Sequence, residues 1–466
     1  MPKASPDLRR WLLRDQLKAI PVSKEQRKHP RAKSDKRQSL KVSFDPGSGT
    51  AVEVAVALVD SNDEGIGAGR IQSAILPLNS LTKIANIAVI AVTGLSSLLC
   101  FGALLAAPSN DRGEFVYIGT YTDGKSKGIY GFRFQPAAGK LEALGLMAES
   151  VNPSFLAVHP NRQYLYAVNE TESSLGRSIS AFAIDRKTGK LTFLNRIPSR
   201  GGAPSDLVVD KTGKCLLVAN YTSGSIAVFP LLEDGRLGEA TTVIQQSGSR
   251  GNKQGQGAAR PHSIQASVDN RFVVTADLGL DQLLVYRLDP KHATLSSNDP
   301  PFANVDPGSG PRHFRFHPSG RFAYVINELL STITVFQYDA LRGSLAAIQT
   351  VSTLPKSFSG KNAAAEIVVH PNGNFLYGSN RGDNSIAVFA IDRVQGTLTQ
   401  VEIVPTGGKT PRNIAINPTG SYLFAANQDS DNVVIFRIGP NSGRLKLTGI
   451  IGEAPRPVCI EFVPAL

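Results

Sequence analysis

FAYVINE (322–328) is an alternating apolar strand that closes on an asparagine, and six related runs recur along the 466-residue chain. They read FVYIGTY (115–121), YLYAVNE (164–170), CLLVANY (215–221), FVVTADL (272–278), FLYGSNR (375–381) and YLFAANQ (422–428). The steps between the aligned Thr120, Asn169, Asn220, Asp277, Asn327, Asn380 and Asn427 range from 47 to 57 residues, a period that belongs to propellers and solenoids. Each run is followed by another strand, such as TITVFQY (332–338), then a turn and a fourth run. Upstream of most lies an inner strand such as HFRFHP (313–318) or EIVVHP (366–371). Four short strands per period, seven times over, predict an all-β seven-bladed propeller.

The ends of the chain fit ring closure. FVYIGTY lacks an upstream inner strand, whereas PRPVCIEFVPAL (455–466) supplies an inner strand with nothing after it. Pairing Val458–Val463 with the N-terminal strands completes the first blade and leaves no open edge. The propeller is therefore expected over 114–466. The repeated asparagine reads as a shaping residue that hydrogen-bonds backbone where the strand turns. The residue after it varies (Tyr121, Glu170, Tyr221, Leu278, Glu328, Arg381, Gln428), and variation inside a repeat is where a site is sought.

In an up-and-down blade, the entry to the inner strand and the exit from the second strand share one face of the disc. His159, His317 and His370 precede proline in the opposite turn and read as turn residues; His262 and His313 fall on the near face. Aligning the inner strands places the pairs Ser154-Phe155, Ser205-Asp206, His262-Ser263, Arg312-His313, Ala365-Glu366, Arg412-Asn413 and Arg456-Pro457 at the channel mouth. With Glu170, Glu328 and Arg381 they ring it with guanidiniums, carboxylates and imidazoles. Arginine's planar fork matches carboxylate or phosphate oxygens, so Arg312, Arg381, Arg412 and Arg456 point to a small anionic or polyhydroxylated ligand.

GPRHFRFHPSGRFAYVINEL (310–329), AEIVVHPNGNFLYGSNRGDNSIAVF (365–389), PHSIQASVDNRFVVTADLGLDQLLVYRLD (261–289) and FVYIGTYTDGKSKGIYGFRF (115–134) resemble the seven-bladed lactonase family that includes the propeller-type 6-phosphogluconolactonases. The resemblance implies hydrolysis of a sugar lactone without a cofactor. It also implies, from a related carboxymuconate lactone branch, His262, Arg312, Glu328 and Arg381 as the catalytic set. Two departures stand out. Arg260 occupies a position where the family often has histidine, and Ser205-Asp206 replaces a frequent Cys-His pair.

Hydrolysis of an ester needs an activated water and donors for the developing oxyanion. Glu328 or His262 is expected as base and Arg312 and Arg381 as anion binders, with Asp206, His313, Glu366, Arg412 and Arg456 as substrate contacts. The one GxSxG match, GKSKG (124–128), lies between two strands and not on the strand-to-helix elbow that a covalent route uses, and the chain has neither CxxC nor HExxH for a metal. The competing readings are a carboxymuconate-type cyclase or isomerase and a non-catalytic exported binding propeller.

Residues 1–83 form a different kind of segment, a basic N-terminal extension expected to be disordered. Positions 1–42 carry nine of the twelve net positive charges among Pro and Ser with little apolar pattern, a composition that suggests disorder. Trp11 is the one aromatic among these charges, too few for an interleaved pattern, so nucleic acid is not the expected partner. Residues 84–107, IANIAVIAVTGLSSLLCFGALLAA, are 24 uncharged residues, enough to cross a core of about 30 Å, and read as a signal peptide or anchor. The propeller is then expected in an exported, periplasmic or membrane-anchored setting, with membrane contact through this segment if it is not cleaved, and in the cytoplasm if the leader is not functional. A translation start near Leu78 would make the segment a compact leader.

Overall fold

The computed structural model describes residues 113–173, 176–247 and 257–466, together with the backbone of four short strands between 40 and 77. The chain divides into two compact units, Met1–Pro108 and Ser109–Leu466. In the first, Ala51–Leu58 pairs antiparallel with Leu40–Ser43, Gly69–Arg70 and Ala74–Pro77. These strands fall inside the stretch whose composition suggests disorder. The valine-rich run Ala51–Leu58 carries a β pattern that the surrounding charges obscure. Residues 84–107 lie outside the described residues, among which no helix is long and apolar enough to cross a membrane.

The second unit is seven four-stranded antiparallel sheets. Blade 1 orders Pro457–Pro464, Glu114–Thr120, Gly128–Gln135 and Lys140–Glu149 from the channel outward. The last strand of the chain thus pairs with the first of the propeller, Ile460 opposite Ile118 and Val463 opposite Phe115, as the sequence predicts. The inner strands of blades 2 to 7 are Leu156–Val158, Pro204–Val209, Pro261–Ala266, Pro311–Phe316, Ala364–Val369 and Pro411–Ile416. Every second strand ends on the repeat residue, from Thr120 through Asn427.

Each repeated Asn is almost wholly buried and ties its blade to nearby backbone or hydroxyl groups. The Nδ2 groups of Asn220 and Asn380 donate to Ser199 O and Thr353 O, just past the outer strand of the preceding blade. Asp277 uses its Oδ1 to accept from the amides of Arg260, Gly279 and Leu280. The structural reading of this position therefore holds.

Blades pack through apolar faces that meet those of their neighbours. Phe272, Val274 and Val285 of blade 4 join Phe314, Val325 and Phe336 of blade 5 in one buried cluster. Polar latches fix the stagger. On the second strands, Tyr117, Tyr166, Tyr324 and Tyr377 each send a buried hydroxyl to a hairpin glycine of the next blade, at 2.8 to 3.1 Å. On the far face, Nε2 of His159, His317 and His370 meets the carbonyls of Gly213, Gly373 and Gly420 in the following blade. The three histidines are turn residues that also bridge blades.

Gly396 shows why the latch hairpin carries glycine. Its φ is +76°, and a Cβ there would lie 2.3 Å from the Phe322 ring. Tyr324→Phe removes the donor to the Gly396 carbonyl and is expected to cost about 1–2 kcal/mol. The urea midpoint reads this loss, and an unchanged midpoint would show that the hydroxyl does not join the blades.

Candidate functional site at the channel mouth

The inner strands share one irregularity. The register with the second strand shifts between Pro204 and Asp206, Pro261 and Ser263, Pro311 and His313, Pro411 and Asn413, and Pro457 and Cys459. The skipped residue is a bulge, which turns its side chain out of the ladder. Those residues are Ser205, His262, Arg312, Arg412 and Val458. Proline opens each of these strands, where the missing N–H costs no ladder bond.

The next residue caps the neighbouring blade. Asp206 Oδ2 accepts from Ile264 N at 2.8 Å, Ser263 Oγ from Phe314 N at 3.2 Å, Asn413 Oδ1 from Ile460 N at 3.1 Å and Cys459 Sγ from Leu156 N at 3.4 Å. Between blades 5 and 6 the cap gives way to a charged network. His313 Nδ1 lies 2.9 Å from Glu366 Oε2, which also accepts from Asn413 Nδ2 at 2.7 Å, while Glu366 Oε1 meets Arg315 Nη2 at 3.0 Å.

At the mouth itself, Glu328 Oε2 stands 3.0 Å from Arg312 Nε and 2.8 Å from Arg381 Nη2. Arg312 is 2% exposed, and its Nη1 donates to Ala365 O. Arg381 is anchored on the carbonyls of Ala363 and Ala364. Across the channel, Arg412 Nη2 donates to Tyr121 Oη at 2.9 Å, and Tyr121 donates to Glu170 Oε2 at 2.8 Å. The His262 ring lies edge-on between those of Tyr221 and His313, at 5.2 and 5.3 Å. Neither His262 Nδ1 nor His313 Nε2 has a hydrogen-bond partner.

The charges are set by this packing. Burial and the Arg312 guanidinium hold both His262 and His313 well below the usual imidazole range, so both are neutral at working pH. Burial pushes Glu328 up, but Arg381, Arg312 and Arg412 outweigh it and keep the group below the ordinary carboxylate range. Burial, then Arg381 and Arg412, push Arg312 down to about 9, where it is still charged at neutral pH. Three guanidiniums here face two carboxylates, Glu328 and Glu170, an excess that favours an anion.

The structure brings Glu328, His262, Arg312, Arg381, Arg412 and His313 together. Asp206 and Glu366 are fully buried in the channel wall, where they cap or brace neighbours instead of facing the mouth. Arg456 is displaced for a register reason. The bulge of blade 1 falls at Val458, so Arg456 precedes the strand and pairs at the rim with Asp123 at 2.8 Å. Sequence alignment of this blade on arginine was two residues out of step. Arg315 and Glu461, two positions beyond the caps, went unnoticed; their signal is a charge inside the otherwise apolar strands PRHFRF and PVCIEF.

The family described as "Lactonase, 7-bladed beta-propeller" matches residues 115–462, and the chain belongs to it. It is 36% identical over 347 residues to the 6-phosphogluconolactonase of Bacillus subtilis, covering 74% of this chain and 97% of that one. A 6-phosphogluconolactonase of Formosa agariphila is 36% identical over 302 residues, 64% of this chain and 85% of its own. The periplasmic gluconolactonase of Pseudomonas aeruginosa superposes with a TM-score of 0.72 at 33% identity, over 76% of this chain and 99% of that one.

Below the mouth, burial pushes Asp206 up to about 7 and Glu461 up to about 8, with Arg315 pulling against both. Folded-state values above the unfolded ones mean that the native protein binds the extra protons. The associated stability is complete at acid pH and is lost as pH rises through about 7 to 8. Glu461→Gln is therefore expected to raise the melting temperature at pH 8.5 more than at pH 5. Equal shifts at both values would place Glu461 in an ordinary aqueous setting.

Proposed function

We propose that the chain hydrolyses a sugar lactone of the 6-phosphogluconolactone type at this mouth, with no redox cofactor. The observation that carries the reading is the Arg312–Glu328–Arg381 ion-pair cluster in blades 5 and 6, set near the neutral His262 of blade 4. The guanidiniums bind the substrate and steady the oxyanion formed when water adds to the carbonyl. His262, with a free lone pair, takes the proton from that water and returns it to the departing ring oxygen. Glu328, whose Oε2 is engaged by both arginines, serves to hold their forks in place.

Purified full-length chain is expected to open glucono-1,5-lactone or its 6-phosphate faster than the buffer does. His262→Ala should lower kcat by about 10²–10⁴-fold. Arg381→Ala should lower kcat/KM by about 10²–10³-fold. Glu328→Gln should act mainly through KM; a collapse of kcat with KM preserved would return the base role to Glu328.

We also propose that residues 84–107 export the propeller, a reading supported by their uncharged length and by the periplasmic relative. N-terminal sequencing of the native protein is expected to find a start near Pro108 if the segment is cleaved. Recovery of peptides spanning Lys3 to Arg14 would exclude a start near Leu78.

A further inference from the structure

The arginines of the mouth are not equivalent. Arg312 and Arg381 are tied to Glu328, Arg412 to the Tyr121–Glu170 pair and Arg456 to Asp123. Arg260, just before the inner strand of blade 4, makes no ion pair or side-chain hydrogen bond with the described residues. Its backbone N–H is fixed by Asp277 Oδ1 at 2.8 Å, so the position is held while the side chain is left unengaged. The guanidinium lies over the Tyr221 ring, 5.3 Å from its centroid, with Nε buried and unpartnered. The Asp277 carboxylate feels its charge, but that carboxylate already serves three backbone amides and forms no ion pair with Arg260.

Location gives this residue a role. Tyr221 stands edge-on to His262, so Arg260 is one aromatic ring beyond the proposed base, on the side of blade 3. Arg312 and Arg381 belong to blades 5 and 6 on the other side. An arginine stacked on an aromatic ring keeps the edge of its fork free for planar anion recognition. A substrate with its ester carbonyl at His262 and the Arg312 cluster would extend its remote end toward Arg260.

We propose that Arg260, stacked on Tyr221, is a second anion subsite that holds a phosphate or carboxylate carried by the lactone away from its ester carbonyl. This rests on lactone hydrolysis at the mouth and assigns the residue that reads the far end of the lactone.

The test compares glucono-1,5-lactone with its 6-phosphate and with a glucaric acid lactone, using full-length wild type, Arg260→Ala and Arg260→Lys. The wild type is expected to prefer one anionic lactone, phosphate or carboxylate according to which is favoured. Arg260→Ala should cut that preference in kcat/KM by about tenfold to a hundredfold, through KM, and Arg260→Lys should restore part of it. No preference in the wild type, or a preference that survives Arg260→Ala, overturns the subsite, as does an equal loss on all lactones with a lower melting temperature. If the wild type opens none of them, hydrolysis fails while the subsite is still read by calorimetry with 6-phosphogluconate, glucarate and gluconate. Tighter binding of one dianion that Arg260→Ala erases supports the subsite, and equal binding in both proteins overturns it.

Discussion

The inner strand of every blade has one hydrogen-bonding edge with no strand to pair with, because it faces the channel. That constraint organises the centre of the molecule. Buried amides without partners are costly, so Ile264, Phe314, Ile460 and Leu156 donate to side chains that the preceding blade presents at its third inner-strand position. The ring is held by these caps as well as by its apolar faces. A bulge at the second position makes room for the cap and swings that residue into the mouth. Structure and chemistry thus come from adjacent residues of one short strand, Arg312 beside His313 and His262 beside Ser263.

That adjacency explains which parts were legible in sequence. The fold was, because strand alternation repeats seven times and closes on asparagine in five of the copies, and the orphan strand at the C-terminus demanded a partner. Which face carries the site was also legible, since the direction of each strand follows from its turn. The depth of a side chain was not. A linear alignment puts Asp206 and Glu366 in the same mouth pairs as Ser205 and Ala365, yet a shift of one position across a bulge separates a channel-wall cap from a mouth residue. Arg456 shows the same limit, since PRPVCIEF holds two prolines and Pro455-Arg456 mimics Pro311-Arg312 although the strand opens at Pro457.

The caps also account for the unusual carboxylates. Most blades place a neutral group in the channel wall, whereas Asp206, Glu366 and Glu461 put carboxylates there around Arg315. Burial drives all three toward the protonated form, and one guanidinium works against it. Glu366 keeps four donors about it, from His313, Asn413, Arg315 and the Ile367 amide, which fixes the His313 ring with Nδ1 toward the carboxylate. His313 in turn packs against His262 and Phe155. The wall beneath the mouth is therefore a rigid polar support, and His262 owes its orientation to rings on both sides, with no hydrogen bond at Nδ1.

A rigid support has an electrostatic cost that the mouth exploits. Arg312 is nearly inaccessible, flanked by two other guanidiniums, and burial lowers its affinity for its own proton. Such a site is short of negative charge, since Glu328 and Glu170 together do not balance Arg312, Arg381 and Arg412. An arriving anion relieves that deficit, as does the oxyanion that forms when a lactone carbonyl is attacked. The second of these develops only during the reaction, so relief of the deficit favours the transition state over the bound lactone. A water-filled mouth would dissipate the effect; the low exposure of Arg312, His262 and His313 preserves it.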